Sequence, residues 1–226
     1  MNTKKPFRAK RKFGQNFLIN ENIATKIVDS INYKKYDEVL EIGPGMGILS
    51  KYLIKKCNPK LIEIDEESVS YLKEQIPELK NIILGDFLKI DLKKILKTKN
   101  AIIGNFPYNI STQILFKILN QKDQVHIVVG MFQKEVAERI CSQPKSKKYG
   151  IISVFIQAYY NTEILFKVKK ENFSPQPKIE SAVIKLTRNN VKKLNCNEEK
   201  FKFLVKQSFN QRRKKIKNAL KKQIID

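Results

Sequence analysis

Glu41-Ile42-Gly43-Pro44-Gly45-Met46-Gly47 is the stretch that decides the fold: a short apolar run ends at an acid, and three glycines at alternate positions follow before a helical pattern begins. A strand that turns into a helix through glycines is the ligand-binding corner of an open α/β sheet, because glycine lets the backbone turn sharply and approach a ligand closely. Outward from this corner, short β-branched runs recur at 38–42, 60–64, 81–84, 101–103 and 125–129, and amphipathic stretches at 48–56, 66–75, 111–119 and 133–141 lie between and after them. That alternation predicts an α/β fold with a doubly wound parallel sheet covered by helices on both faces. Ser111 or Thr112 is placed to cap the third helix. Residues 148–159 read as a further helix, and 163–168 with 181–186 as a closing pair of strands joined by a loop through Phe173, Pro175 and Pro177. Residues 198–209 and 212–222 form a helical pair too small for a core of its own. The expected organisation is one main domain over 1–190 and a small helical appendage over 191–226.

Composition narrows the partners. The 226 residues hold no run of 18 apolar side chains, and the first twelve are basic without an apolar segment, so neither a membrane span nor a secretory signal is expected and the cytoplasm is the expected location. Cys57, Cys141 and Cys196 match no metal or disulfide spacing, so no metal site is expected. A balance of 45 basic against 22 acidic residues leaves a net charge of +23, which draws a protein to a polyanion by counterion release. Abundant Lys, Ile and Asn also fit the codon bias of an AT-rich genome. Two basic clusters stand out: Lys4, Lys5, Arg8, Lys10, Arg11 and Lys12, then Arg212, Arg213, Lys214, Lys215 and Lys217.

The glycine spacing is GxGxG, with Ile48 where a dinucleotide fingerprint puts its third glycine, and Glu41 would face a pyrophosphate unfavourably. A nicotinamide-dependent oxidoreductase is thereby disfavoured. A carboxylate there suits a cationic ligand such as S-adenosylmethionine, which carries an ammonium and a sulfonium. The second strand ends at Glu63-Ile64-Asp65, where Glu63 or Asp65 is placed to accept ribose hydroxyls. The third ends at Gly85-Asp86-Phe87, where Asp86 is placed to accept an adenine amino hydrogen and Phe87 to meet the ring face. Three acids at successive strand ends line one crevice.

The fourth strand runs into Gly104-Asn105-Phe106-Pro107-Tyr108, the most specific feature of the chain. An exocyclic adenine amine is a poor nucleophile because its lone pair is delocalised, so acceptors for its two hydrogens favour a pyramidal, reactive nitrogen. The Asn105 side-chain carbonyl and the Phe106 backbone carbonyl are those acceptors. Pro107 biases Phe106 away from helical geometry, and Tyr108 offers a ring on which an extruded base stacks. His126 lies in an apolar strand pattern and reads as core-associated.

Asn-x-Pro-Tyr resembles the motif of amino-methyltransferases acting on nucleic-acid bases, and GNFPYNIST over 104–112 is similar to that of the rRNA adenine dimethyltransferases (KsgA/Dim family). The resemblance runs to about Leu220. It includes Lys12-Phe13-Gly14-Gln15-Asn16-Phe17-Leu18, Gln133-Lys134-Glu135-Val136, Tyr149-Gly150, Phe173-Ser174-Pro175-Gln176-Pro177-Lys178 and Glu180-Ser181-Ala182-Val183. It implies a Rossmann-like class I methyltransferase fold with a seven-stranded, mostly parallel sheet. It also implies that Asn16, Leu18, Gly43, Glu63, Asp86 and Asn105 touch the cofactor, beside the further candidates Glu41, Gly45, Ile64 and Phe87, and that Phe173 is a second stacking partner, whose alternative is a loop anchor in the core. The implied reaction is dimethylation of two adjacent adenosines near the 3′ end of small-subunit rRNA, in an immature 30S particle, by a monomer. Gln211-Arg212-Arg213-Lys214-Lys215 resembles the start of the family's C-terminal helical domain, which here stops at Asp226 where typical members continue for several helices. Two other readings remain open at this point: the related large-subunit methyltransferase of the macrolide-resistance type, and a non-catalytic RNA-binding assembly factor.

Overall fold

The computed structural model describes residues 9–211 and 215–220. Strands in chain order are β1 (Phe17–Leu18), β2 (Glu38–Ile42), β3 (Lys60–Glu63), β4 (Asn81–Leu84), β5 (Asn100–Asn105), β6 (Val125–Gln133), β7 (Tyr160–Val168), β8 (Phe173–Ser174) and β9 (Ser181–Arg188). Helices are α1 (Glu21–Asp29), α2 (Ser50–Leu53), α3 (Glu66–Gln75), α4 (Ser111–Leu119), α5 (Lys134–Ile140), α6 (Ile151–Gln157), α7 (Glu198–Asn210) and α8 (Ile216–Leu220).

Seven strands form one sheet in the order β4-β3-β2-β5-β6-β9-β7, in which β9 runs antiparallel to both neighbours. The expected mostly parallel α/β sheet is therefore present. Both faces are covered, so central strands carry continuous apolar runs, such as 101–103 and 127–129, rather than apolar residues at alternate positions only. On β5, Ile102 packs into one core with Leu40, Ile114 and Phe132, whereas Ala101 and Ile103 pack into the opposite core with Val39, Ile27 and Val183. The chain lays down β2, β3 and β4 toward one edge, then returns to place β5 and β6 on the other side of β2. This reversal opens a crevice at the carboxyl ends of β2 and β5.

Several boundaries differ from the sequence reading. β5 extends to Asn105 and β6 to Gln133, because each continues to pair in register with its neighbour, Asn105 opposite Met131 and Gln133 opposite Ser181. The helix expected over 48–56 contracts to α2, flanked by turns, and the one expected over 148–159 contracts to α6. Gly150 caps α6, its N–H donating to Ser153 Oγ at 3.0 Å. Neither Ser111 nor Thr112 caps α4: Ile110 holds that position, and Ser111 Oγ donates to the Tyr108 carbonyl at 3.2 Å. Of the last helix expected, α8 covers 216–220; residues 212–214 and 221–226 lie outside the described residues. α7 packs on the main domain through aromatic contacts, Phe201 on Phe155 (centroids 5.9 Å apart) and Phe209 on Tyr149 (6.2 Å). All three cysteines are free, and burial pushes the Cys57 and Cys141 thiols up to about 11. His126 is half-buried with Nδ1 3.2 Å from the Gln124 carbonyl.

The Phe106 ring occupies the space left by two side-chain-free residues. It is 1% exposed and lies edge-on to Phe132, with centroids 5.1 Å apart. A Cβ on Gly104 would come within 2.6 Å of this ring, and one on Gly130 would collide with it and stand 2.8 Å from Phe132. Gly130→Ala is therefore expected to destabilise the fold by about 1–3 kcal/mol through overpacking. Urea denaturation checks this, and an unchanged midpoint would show that the ring is not confined.

Candidate active site

The glycine corner and the end of β5 meet because β2 and β5 are neighbours in register, Glu41 opposite Ile103. Two residues on, Gly43 and Asn105 leave the sheet side by side and line one cavity. Gly43 and Gly45 have φ of +66° and +56°, the left-handed region that side chains disfavour. A Cβ on Gly45 would also stand 2.7 Å from the Phe17 ring, so only glycine allows residues 43–47 to close under that aromatic.

Three carboxylates reach the cavity from three strand ends. Glu41 is 1% exposed and receives one hydrogen bond, from Ser50 Oγ at 2.7 Å. Burial, reinforced by the neighbouring charge of Glu63, pushes its carboxyl up to about 8 despite that bond. Glu63 accepts from the backbone N–H groups of Gly45 (2.9 Å), Ile64 (2.9 Å) and Asp65 (3.0 Å), and burial still raises its pKa. Asp86 accepts from Leu88 N at 2.9 Å. Among the described residues lining this cavity there is no Lys, Arg or His, although the chain as a whole carries +23. A pocket of this charge favours a cation over a pyrophosphate.

Of the two acids left open by the sequence, Glu63 faces the cavity and Asp65 does not. Asp65 is tied to Lys10 (2.6 Å), Gln15 (3.3 Å) and Ser68 (3.3 Å), and it caps α3. Ile64 and Phe87 line the cavity, as do Asn16 and Leu18. Asn16 Nδ2 donates to the Gly14 carbonyl at 3.2 Å. Lys117 secures the Phe87 loop, donating to the carbonyls of Leu88 (2.9 Å) and Ile90 (2.5 Å), with its ammonium 5.5 Å from the Phe87 ring centre.

Asn105 Nδ2 donates to the Asn16 carbonyl at 2.9 Å, and no described residue donates to its Oδ1. The amide thus uses its donor side on the protein and keeps its acceptor side available. Phe106 is among the residues lining the cavity, and its ring packs edge-on against Phe132 in the core. Pro107 lies beside Gly43, and Tyr108, also at the cavity, has its hydroxyl 2.5 Å from Ser181 Oγ. Phe173 is placed elsewhere. It is 3% exposed, pairs with Leu18 across β1 and β8, and packs with Val168 and Val183, so it anchors its loop in the core instead of offering a face to a base.

Sequence reasoning missed several residues that build the site. Phe13, Gln15 and Phe17 lie inside the motif it quoted, and an aromatic–glycine–amide–aromatic pattern beside a glycine corner was the available signal. Ser181 lies in the quoted 180–183 string but was given no role there, and Lys117 acts from a distant element and carried no signal. Of the basic clusters, residues 4–8 and 212–214 lie outside the described residues; Lys10 is engaged by Asp65 and Glu67, at 2.6 and 3.1 Å.

The buried Glu41 gives a pH signature. Its folded pKa of about 8 exceeds the ordinary 4.5, so the stability it contributes is full below the lower value and is lost as pH rises through the upper one. Without cofactor, melting temperature should fall from pH 6 to pH 9 more steeply in the wild type than in Glu41→Gln. Parallel thermal-melt profiles would contradict the assignment.

Residues 6–225 match the model of the family described as ribosomal RNA adenine dimethylase. A Flavobacterium johnsoniae protein named ribosomal RNA small subunit methyltransferase A is 54% identical over 217 residues, covering 95% of this chain and 83% of its own length. The solved dimethyladenosine transferase of Plasmodium falciparum superposes with a TM-score of 0.80 at 26% identity, covering 92% of this chain and 76% of that one. The 23S rRNA methyltransferase ErmE superposes with a TM-score of 0.74 at 24% identity, covering 92% and 84%, and shares the fold. With the family model spanning nearly its whole length and its motifs gathered at one crevice, the chain belongs to the ribosomal RNA adenine dimethylase family.

Proposed function

We propose that this chain dimethylates the exocyclic nitrogen of two adjacent adenosines near the 3′ end of small-subunit rRNA, acting as a cytoplasmic monomer on an immature 30S particle. The observation that carries this reading is the Asn105 amide, held by Asn16 so that its oxygen remains an acceptor beside an acidic cavity. We assign residues 1–190 to the methyltransferase domain and 191–226 to a helical appendage.

The cavity suits S-adenosylmethionine. Glu41 supplies a buried carboxyl that a bound cation would favour in its ionised form, Glu63 the ribose contact, Asp86 an acceptor for the adenine amine, and Ile64 and Phe87 the apolar walls; Asn16, Leu18, Gly43 and Gly45 complete the cradle. When bound, this cofactor supplies an electrophilic methyl group on a sulfonium. Asn105 Oδ1 and the Phe106 carbonyl accept the two hydrogens of the target amine and direct its lone pair outward. Tyr108, pinned by Ser181, provides the face on which the everted base stacks. The amine so held would take up the methyl group that the bound cofactor supplies, and its proton would pass to solvent. No side-chain base is needed, since placement of the amine supplies most of the acceleration.

Asn105→Ala is expected to keep the fold and lower methyl transfer by on the order of 100-fold or more, measured with labelled cofactor and undermodified small subunits. Near-normal turnover would refute the acceptor role. Glu63→Ala should chiefly raise the cofactor dissociation constant by calorimetry, and an unchanged constant would reject the ribose contact. Mapping dimethyladenosine on both ribosomal RNAs tests the target: marks confined to the large subunit, or no transfer at all, would overturn it.

A further inference from the structure

Residues 10–20 run along the cofactor cavity as a strap fastened at both ends. At the far end β1 pairs with β8, Ile19 N donates to the Asn172 carbonyl at 2.8 Å, and Asn20 Nδ2 donates to Asn172 Oδ1 at 2.8 Å. At the near end Lys10 Nζ meets Asp65 at 2.6 Å and Glu67 at 3.1 Å. Gln15 Nε2 also donates to Asp65 at 3.3 Å, while Gln15 Oε1 accepts from Lys10 N at 2.7 Å. Between these fastenings Phe13–Leu18 line the cavity, and the Asn16 carbonyl receives the Asn105 amide.

The two fastenings differ in kind. The far one is a piece of sheet backed by the buried Leu18 and Phe173. The near one joins the strap to the sheet through side chains, with Lys10 partly open to solvent and Asp65 nearly closed off. Burial alone would raise the Asp65 pKa, but the bonds from Lys10 and Gln15 outweigh it and hold the carboxylate below its ordinary range, while the bond to Asp65 raises that of Lys10. Both partners thus stay charged near neutrality, so this fastening responds to salt rather than to protons.

We propose that Asp65 is a positioning residue, clamping the strap along the cofactor cavity through Lys10 and Gln15, and that the clamped strap in turn aims the Asn105 amide through the Asn16 carbonyl. Cofactor retention and readiness of the amine acceptor are then set by one latch. This rests on the function proposed above. Asp65 neither lines the cavity nor touches the reacting atoms, and the strap carries its effect.

The test uses the full chain and labelled S-adenosylhomocysteine chased with unlabelled ligand. Lys10→Met, which leaves the α3 cap intact, is expected to speed release about three- to tenfold and to abolish the acceleration of release that added salt produces in the wild type. Single-turnover methyl transfer from the pre-bound complex should slow by a similar factor, while Lys10→Arg restores both rates. Asp65→Asn keeps a good capping side chain and should match Lys10→Met, with the double variant no worse than either single one. Wild-type release from Lys10→Met would overturn the clamp. Faster release with unchanged single-turnover transfer would overturn its coupling to Asn105. If the wild type transfers no methyl group to small subunits, the functional reading falls, and release rates still decide the clamp.

Discussion

The parallel pairing of β2 with β5 is the constraint on which the rest depends. Glu41 opposite Ile103 puts a glycine corner and an asparagine on adjoining strand ends, and no other register brings them together without turning one set of side chains to the wrong face. Each partner is held from behind. β2 is paired on its far side with β3, whose terminal Glu63 returns to bind Gly45 N, and β5 is paired with β6, whose Gly130 admits the Phe106 ring. The crevice is therefore a property of the sheet before it is a property of any loop.

Charge divides the molecule into two regimes. The chain carries a large positive excess, yet its main cavity is lined by carboxylates with no basic side chain among the described residues. Long-range attraction toward a polyanion and short-range preference for a cation are thus separated in space. The cost falls on Glu41, whose carboxyl is held largely protonated near neutrality by burial in the cofactor-free fold.

Much of this was legible in the residues because its causes are local. Glycines at 43 and 45 announce a corner through their backbone freedom, continuous apolar runs announce strands buried on both faces, and Asn-Phe-Pro-Tyr announces acceptors beside a ring. What sequence could not decide depended on three-dimensional neighbours. Glu63 and Asp65 stand two apart on one strand end, and only the approach of Lys10 and Gln15 from the amino-terminal segment draws Asp65 away. Phe173 followed the family resemblance toward the base, but pairing with β1 folds it into the core. Ser111 lost the expected cap because the tight turn after Pro107 lets Ile110 open the helix while the hydroxyl satisfies Tyr108.

The Phe106 ring, wedged between two glycines and Phe132, gives the main-chain carbonyl proposed as an amine acceptor an unusual genetic character. A main-chain oxygen cannot be deleted by exchanging a side chain, so no single codon change removes it. Its aim instead varies with the bulk of the hydrocarbon behind it, and substitutions there should act as a graded dial on nitrogen chemistry, while those at residue 105 act as an on–off switch.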